Sequence, residues 1–402
     1  MTPIVPGRHL SARYLAIGFA GFFTFINMYS PQAILPLLAQ EFGAGAAEIA
    51  TIMTAGTLAV ALIAPFAGTV SDVLGRKRVI ICAMFALAIP TIMLAMAATL
   101  SEMVLWRFIQ GLAMPPVLAV TIAYIGEELP PHEATVAAGV YTSGASIGGF
   151  SGRFVAGVLS DLFGWRYAFL TIAAMTVAGA VAVWALLPRE RNFVRSSGLG
   201  ASARQMLQHF RNRQLLATYA VGFGVLFNFI CTFTFITFRL AAPPYNLSAA
   251  MLGAIFVVYL AGSTLAPLTG WAVGRFGRRQ FMVGMILLWI VGVLLTLADP
   301  LWLILLGLTL SAACGLLCQA VSTGYVTITA QAGRSSAVGL YVTSFYLGGS
   351  VGAATGGVAW ILGGWPACVA LVSGMLLIMA AVVAIAWTRT APPAPPIPIA
   401  AA

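Results

Sequence analysis

The sequence predicts an all-α membrane protein of twelve transmembrane helices in two six-helix repeats, and three observations support that fold. The first is composition: 61% of the 402 residues are apolar and 7% charged, against roughly 25% charged in a soluble domain, and the mean hydropathy is +0.99. So few charges cannot cover a water-facing surface. The second is spacing. Apolar residues fall into runs of about 20, the length a helix needs to cross a bilayer, separated by short breaks rich in charge, Gly or Pro. The third is an internal repeat. Ala64-Pro65 with Gly68 recurs as Ala266-Pro267 with Gly270, and Gly75-Arg76-Lys77 as Gly277-Arg278-Arg279, at an offset of 202. Gly139, Tyr141, Gly148, Gly149, Gly152, Gly157, Gly164 and Trp165 recur at an offset of 200, from Gly339 to Trp365. Parallel repeats of this kind place a central site between two halves.

The runs predict helices at 15–38, 49–70, 79–98, 102–125, 134–158 and 167–187 in the first half. The first follows Arg8 and Arg13 and is too long for the apolar region of a cleaved signal, so it stays as a helix. Six more are expected at 215–238, 249–271, 281–298, 301–325, 336–361 and 367–387. These runs divide the chain into a bundle at 1–187, a polar linker at 188–213, a second bundle at 214–388 and a Pro-rich tail at 389–402.

Charge placement sets the orientation. All but Arg107, Arg153, Arg166 and Arg239 of the 20 Lys and Arg residues fall at one end of the predicted bundle. Short cytoplasmic loops hold such an excess, so both termini are expected inside. The formal charge of +10 reports this topology and not a nucleic-acid partner, because the basic residues sit in short loops rather than on one soluble surface. Cys82, Cys231, Cys314, Cys318 and Cys368 lie in apolar stretches without disulfide or metal-ligand spacing. No nucleophile–base–acid set or phosphate-binding loop is present, so neither an enzyme nor an ATP-driven pump is expected, and no cofactor or metal.

The loop after the second run reads Gly68-Thr-Val-Ser-Asp72-Val-Leu-Gly75-Arg76-Lys77-Arg78. Its glycines permit close helix contact and a tight turn, and Asp72 presents a carboxylate at the membrane edge. This loop resembles the signature of the major facilitator superfamily. The resemblance implies a gating role for Gly68, Asp72, Gly75, Arg76 and Arg78, with Asp72 meeting the N-terminus of helix 11 near Ser335 and Ser336. Gly274 replaces the acid in the second copy, so the gate is expected to be asymmetric. Leu105-Trp106-Arg107-Phe108-Ile109-Gln110-Gly111 is similar to the family's second motif. Gly139 to Gly152, with Gly144, Gly148, Gly149 and Gly152, resembles its antiporter-associated motif, although Ala145 stands where the family usually has proline. Those glycines read equally well as packing residues. Taken over the whole chain, the sequence looks most like the drug-efflux branch, among bacterial inner-membrane transport proteins.

An arginine inside a span is costly unless it meets a partner or a water-filled cavity. Arg107 is therefore the first substrate or coupling candidate, with headgroup snorkelling as its rival. Arg153 is a second candidate, for which interfacial anchoring is an equal alternative. Asn27, Tyr29, Gln32, Gln110, Asn228, Gln319 and Tyr341 could line a central route, or could act as interhelical glue. The ten acids all avoid the middle of the spans, which disfavours an organic cation as cargo. The reading is a secondary, proton-coupled exporter of a small amphiphilic or anionic compound, monomeric and embedded in the bilayer. An uptake permease of the same fold and a non-transporting sensor or scaffold are the alternatives.

Overall fold

The structure, a computed structural model, describes residues 6–191, 208–330 and 334–387. The Pro-rich tail and most of the 188–213 linker lie outside the described residues. The first half comprises α1 (Pro6–Tyr29), α2 (Thr51–Leu74), α3 (Arg76–Met96), α4 (Leu100–Glu128), α5 (Pro131–Phe163) and α6 (Trp165–Leu186). The second comprises α7 (Arg213–Ala241), a broken α8 (Ala249–Ile255, Val258–Leu265 and Thr269–Phe276), α9 (Arg278–Leu295) and α10 (Leu301–Thr329). A last helical stretch, Arg334–Ala386, loses helical geometry at Gly363 and Gly364. Residues 334–362 form α11 and 365–386 form α12.

Eight helices among the described residues are long and apolar enough to cross a bilayer, or nine with α8 counted as one bent span. The stretch Arg334–Ala386 supplies two passes, because its 53 residues would reach about 80 Å if straight, against a ~30 Å hydrocarbon core. The more polar α1 and α5 complete the twelve.

Glycine hinges turn the chain between neighbouring spans: single residues at Gly75 (φ 92°), Gly164 (91°) and Gly277 (80°), and the pair Gly363–Gly364, with Gly364 at φ 61°. A side chain rarely adopts this left-handed backbone, and glycine does so freely. The hinges join α2 to α3, α5 to α6, α8 to α9 and α11 to α12, so the turn recurs twice in each half.

Two elements depart from expectation. The first helix ends at Tyr29 instead of running to 38. Pro31 has no N–H to continue the ladder, and the chain passes through a 3₁₀ turn at Gln32–Ile34 into a short helix, Leu35–Glu41. The span expected at 249–271 is broken after Ile255 and again at the 3₁₀ turn Ala266–Leu268, which contains Pro267, and it bends by 59°.

Packing repeats between halves. The α1 helix lies along α5, and α7 lies along α11 and α12 in the same way. The halves meet where α2 packs on α11 and where α8 packs on α5. Lipid is as apolar as leucine, so these contacts depend on close dispersion packing and on polar contacts, not on water exclusion. Under α8 the second half is aromatic: Phe229 lies 5.2 Å from Trp289 and Phe233 lies 4.7 Å from Tyr259, ring centre to ring centre.

Candidate functional site

The polar candidates divide into three groups, beginning with a buried core in the first half. Asn27 on α1 donates to Thr176 (2.8 Å) and accepts from Thr91 (2.7 Å) and Gln110 (3.2 Å). Gln110 also donates to Thr91 (2.7 Å), so α1, α3, α4 and α6 are tied by amides and hydroxyls. Arg107 completes this core. Its Nη1 donates to the Asn27 carbonyl (3.1 Å) and to Gln110, and its Nη2 to the Met28 carbonyl (2.8 Å). Pro31 cannot supply the N–H that the Asn27 carbonyl would meet one turn on, and the guanidinium supplies that donor. A cation at a helix C-terminus is also favoured by the helix dipole.

The structure places Arg107 inside the first half and not at the seam. Arg107 is 1% exposed, is enclosed by α1, α2 and α4, and closes the end of α1. Its snorkelling alternative fails on the same burial.

The second group lies in the other half. Asn228 occupies the position equivalent to Asn27, but Leu308 and Ser311 stand where Arg107 and Gln110 stand in the first half. Its amide nitrogen meets the Met379 sulfur at 3.3 Å, and its buried Oδ1 has no hydrogen-bond partner among the described residues. Tyr341 bonds Ser322 on α10 (2.7 Å), and its ring fills the space beside Gly222. Gln319, on α10, is half-buried.

The third group bridges the halves. Arg153 on α5 is 2% exposed. Its Nε and Nη2 donate to Gln32 Oε1 (2.8 and 2.6 Å) and its Nη1 to the Gly149 carbonyl (3.0 Å). Gln32 donates in turn to Thr234 on α7 (3.1 Å). The guanidinium carbon lies 4.1 Å from the ring centre of Tyr29, 4.3 Å from Phe256 and 4.8 Å from Tyr259. Residues expected to share one route thus occupy three places, and only Tyr29, Gln32 and Arg153 lie at the seam.

The seam is tight at the end away from the chain termini. A Cβ at Gly157 would fall 2.2 Å from the Ala249 carbonyl, and one at Gly253 would fall 2.6 Å from the Arg153 carbonyl. Across the other contact, Thr57 on α2 bonds Ser350 on α11 (2.8 Å). The Asp161 carboxylate at the end of α5 accepts from the Ala249 and Ala250 amides (3.2 and 2.8 Å), where the first N–H groups of α8 lack helical partners. Asp161 is a functional candidate missed by the motif reading. Its signal was in the sequence, because Gly68, Ser71, Asp72 and Gly75 recur 89 residues later as Gly157, Ser160, Asp161 and Gly164.

At the termini end, Arg76 forms a two-point pair with Glu127 (3.0 and 2.6 Å) and also bonds Ser71. Arg78 is exposed. Gly68 lies on α2, and the Asp72 side chain lies outside the described residues. Glu190 approaches the start of α3, 3.4 Å from the Lys77 amide, and it borders a cavity of about 530 Å³ shared with Gly75, Lys77, Arg78, Trp184 and Arg189. Gly144, Gly148 and Gly152 lie against the α1 backbone, where added Cβ atoms would come within 2.2–2.4 Å of carbonyls; Gly149 instead faces the Tyr29 ring at 3.5 Å. Among the described residues no group of three or more His, Cys, Asp or Glu is placed to hold a metal ion.

Two parallel six-helix halves, meeting at two helix pairs around a polar seam, define a polytopic membrane transporter. The chain belongs to the Major Facilitator Superfamily, which it matches over residues 17–258 and 221–402. It is 34% identical over 373 residues to the inner membrane transport protein YnfM of Escherichia coli, covering 90% of this chain and 88% of that one. It is 31% identical over 362 residues to the MFS-type transporter YybF of Bacillus subtilis, covering 89% of each. The nucleoside transporter NupG has the same fold, with a TM-score of 0.77 at 17% identity over 94% of this chain and 100% of that one. These relatives are transporters and not enzymes.

Proposed function

We propose that the chain exports a small anionic or amphiphilic compound across the bacterial inner membrane, coupled to protons, as a monomer whose two halves alternate access to a site on their seam. This is the mode of the drug-efflux branch. The observation that supports it most is that Arg153, a buried cation with no carboxylate partner among the described residues, stands at the seam between the halves.

Basic-loop placement puts both termini in the cytoplasm, so the tight end of the seam faces out. Asp161 then acts there as Asp72 acts at the cytoplasmic end, each carboxylate holding the N-terminus of a helix in the opposite half. Reporter fusions within 195–210 test the orientation, and periplasmic activity there overturns it. The direction of transport is tested in proteoliposomes carrying an imposed proton gradient. An exporter drives its substrate against an opposing proton flow, whereas an uptake permease moves it with that flow, and a sensor moves nothing.

A further inference from the structure

The Arg153 cluster is assembled from both halves. Tyr29, Gln32 and Arg153 belong to the first, and Thr234, Phe256 and Tyr259 to the second. Its charge faces three aromatic rings, the Gln32 amide oxygen and the Gly149 carbonyl. Ring faces attract a desolvated cation, but none of these partners neutralises it as a carboxylate would. Asp161, two turns further along α5, has its carboxylate committed to α8. The guanidinium is therefore held by partners that an incoming anion would outmatch.

Parting α5 from α8 splits this cluster. The first half keeps the guanidinium with Tyr29 and Gln32, and the second half takes away Phe256, Tyr259 and Thr234. Phe256 and Tyr259 remain braced by Phe233, at 5.8 and 4.7 Å between ring centres, so a firm aromatic wall comes to face a planar cationic fork. A carboxylate matches that fork with two parallel hydrogen bonds. A flat ring matches the wall by offset or edge-on packing.

We infer that Arg153, Tyr29, Phe256 and Tyr259 form a binding site for small aromatic carboxylates, opened when α5 and α8 separate. The ligand carboxylate takes the guanidinium edge now held by Gln32, and its ring lies between Tyr29 and the Phe256–Tyr259 wall. This deepens the proposed transport function and rests on it for the opening motion.

Binding of benzoate, benzamide and cyclohexanecarboxylate to the purified full chain in lipid nanodiscs tests the site by calorimetry. Benzoate should bind. Benzamide, which lacks the charge, should bind at least about tenfold more weakly, and cyclohexanecarboxylate should fall between them. Arg153→Gln should abolish benzoate binding and Arg153→Lys should keep part of it. Phe256→Leu keeps the cation while removing one of its ring contacts, and it should narrow the preference for benzoate over cyclohexanecarboxylate. Melting curves identify the variants that fold. No benzoate binding by the wild-type chain, equal affinity for benzamide, or wild-type benzoate affinity in folded Arg153→Gln overturns the site. Failure of the transport reading looks different: proteoliposomes would move no solute while Arg153-dependent benzoate binding persisted.

Discussion

Arg107 and Arg153 are the same residue type, both within spans and both nearly fully buried, yet their surroundings give them opposite roles. Every direction of the Arg107 fork ends on a group of the first half, including two carbonyls at the end of α1. Its loss should therefore act on stability. Arg107→Leu would leave the Met28 carbonyl and the Gln110 oxygen without the guanidinium donor, and the Asn27 carbonyl with the Ser30 hydroxyl alone (3.2 Å), at a cost of about 3 kcal/mol. A lower melting temperature in detergent, with unchanged ligand affinity in the folded fraction, is the expected result. Wild-type melting with lost affinity would return Arg107 to the substrate route. Arg153 has the converse profile, because half of its cage belongs to the part of the protein that moves away.

At the scale of elements, glycine position separates packing from open space. The Cβ of Gly148→Ala would sit 2.2 Å from the Phe22 carbonyl, and that of Gly348→Ala 2.0 Å from the Phe223 carbonyl. Neither backbone can yield without moving α1 or α7, so both variants should lose folded yield and melt well below the wild type. Gly139, on the same helix as Gly148, has nothing within 4 Å of an added Cβ. Gly139→Ala should be neutral or stabilising by up to about 1 kcal/mol, the helix-propensity gain. Equal melting temperatures for Gly148→Ala and Gly139→Ala would refute this division.

These elements also mark where sequence reading reached and where it stopped. The repeat of glycines, prolines and tryptophans announced both halves, and the signature loop announced the turn at Gly75, since a hinge needs glycine wherever the backbone turns left-handed. What it did not announce was azimuth. Depth along a helix follows from counting residues, but the face on which Arg107 points depends on how α1, α2 and α4 surround it. Pro31 was the missed clue to the early end of α1 and to the carbonyl that Arg107 caps. The aromatic cage joins three segments more than 100 positions apart, and no local pattern links Tyr29 or Arg153 to Phe256.

For the whole molecule, alternating access requires that closing one end be offset by opening the other, and the two Asp positions provide a balance that can be tested. Asp161 holds the start of α8 at the end away from the termini, while the signature loop puts Asp72 at the opposite end of the first half, at the matching place in a copy of the same motif. The equivalent positions in the second half are Gly274 and Ile361, so each end has one acid and not two. Asn at either position keeps an acceptor oxygen but loses the charge that interacts with the helix N-terminus, about 1 kcal/mol, which changes a two-state population roughly fivefold. Spin-label distances between Ser101 and Pro300 report the far end, and between His132 and Gln280 the termini end. Asp161→Asn should lengthen the first distance and shorten the second, and Asp72→Asn should do the reverse. The double variant should return both distributions toward wild type, because two latches of similar strength on opposite ends bias one equilibrium in opposite senses. A shift in the same direction from both single variants would show that the acids stabilise one common state, and the two-latch balance would be wrong.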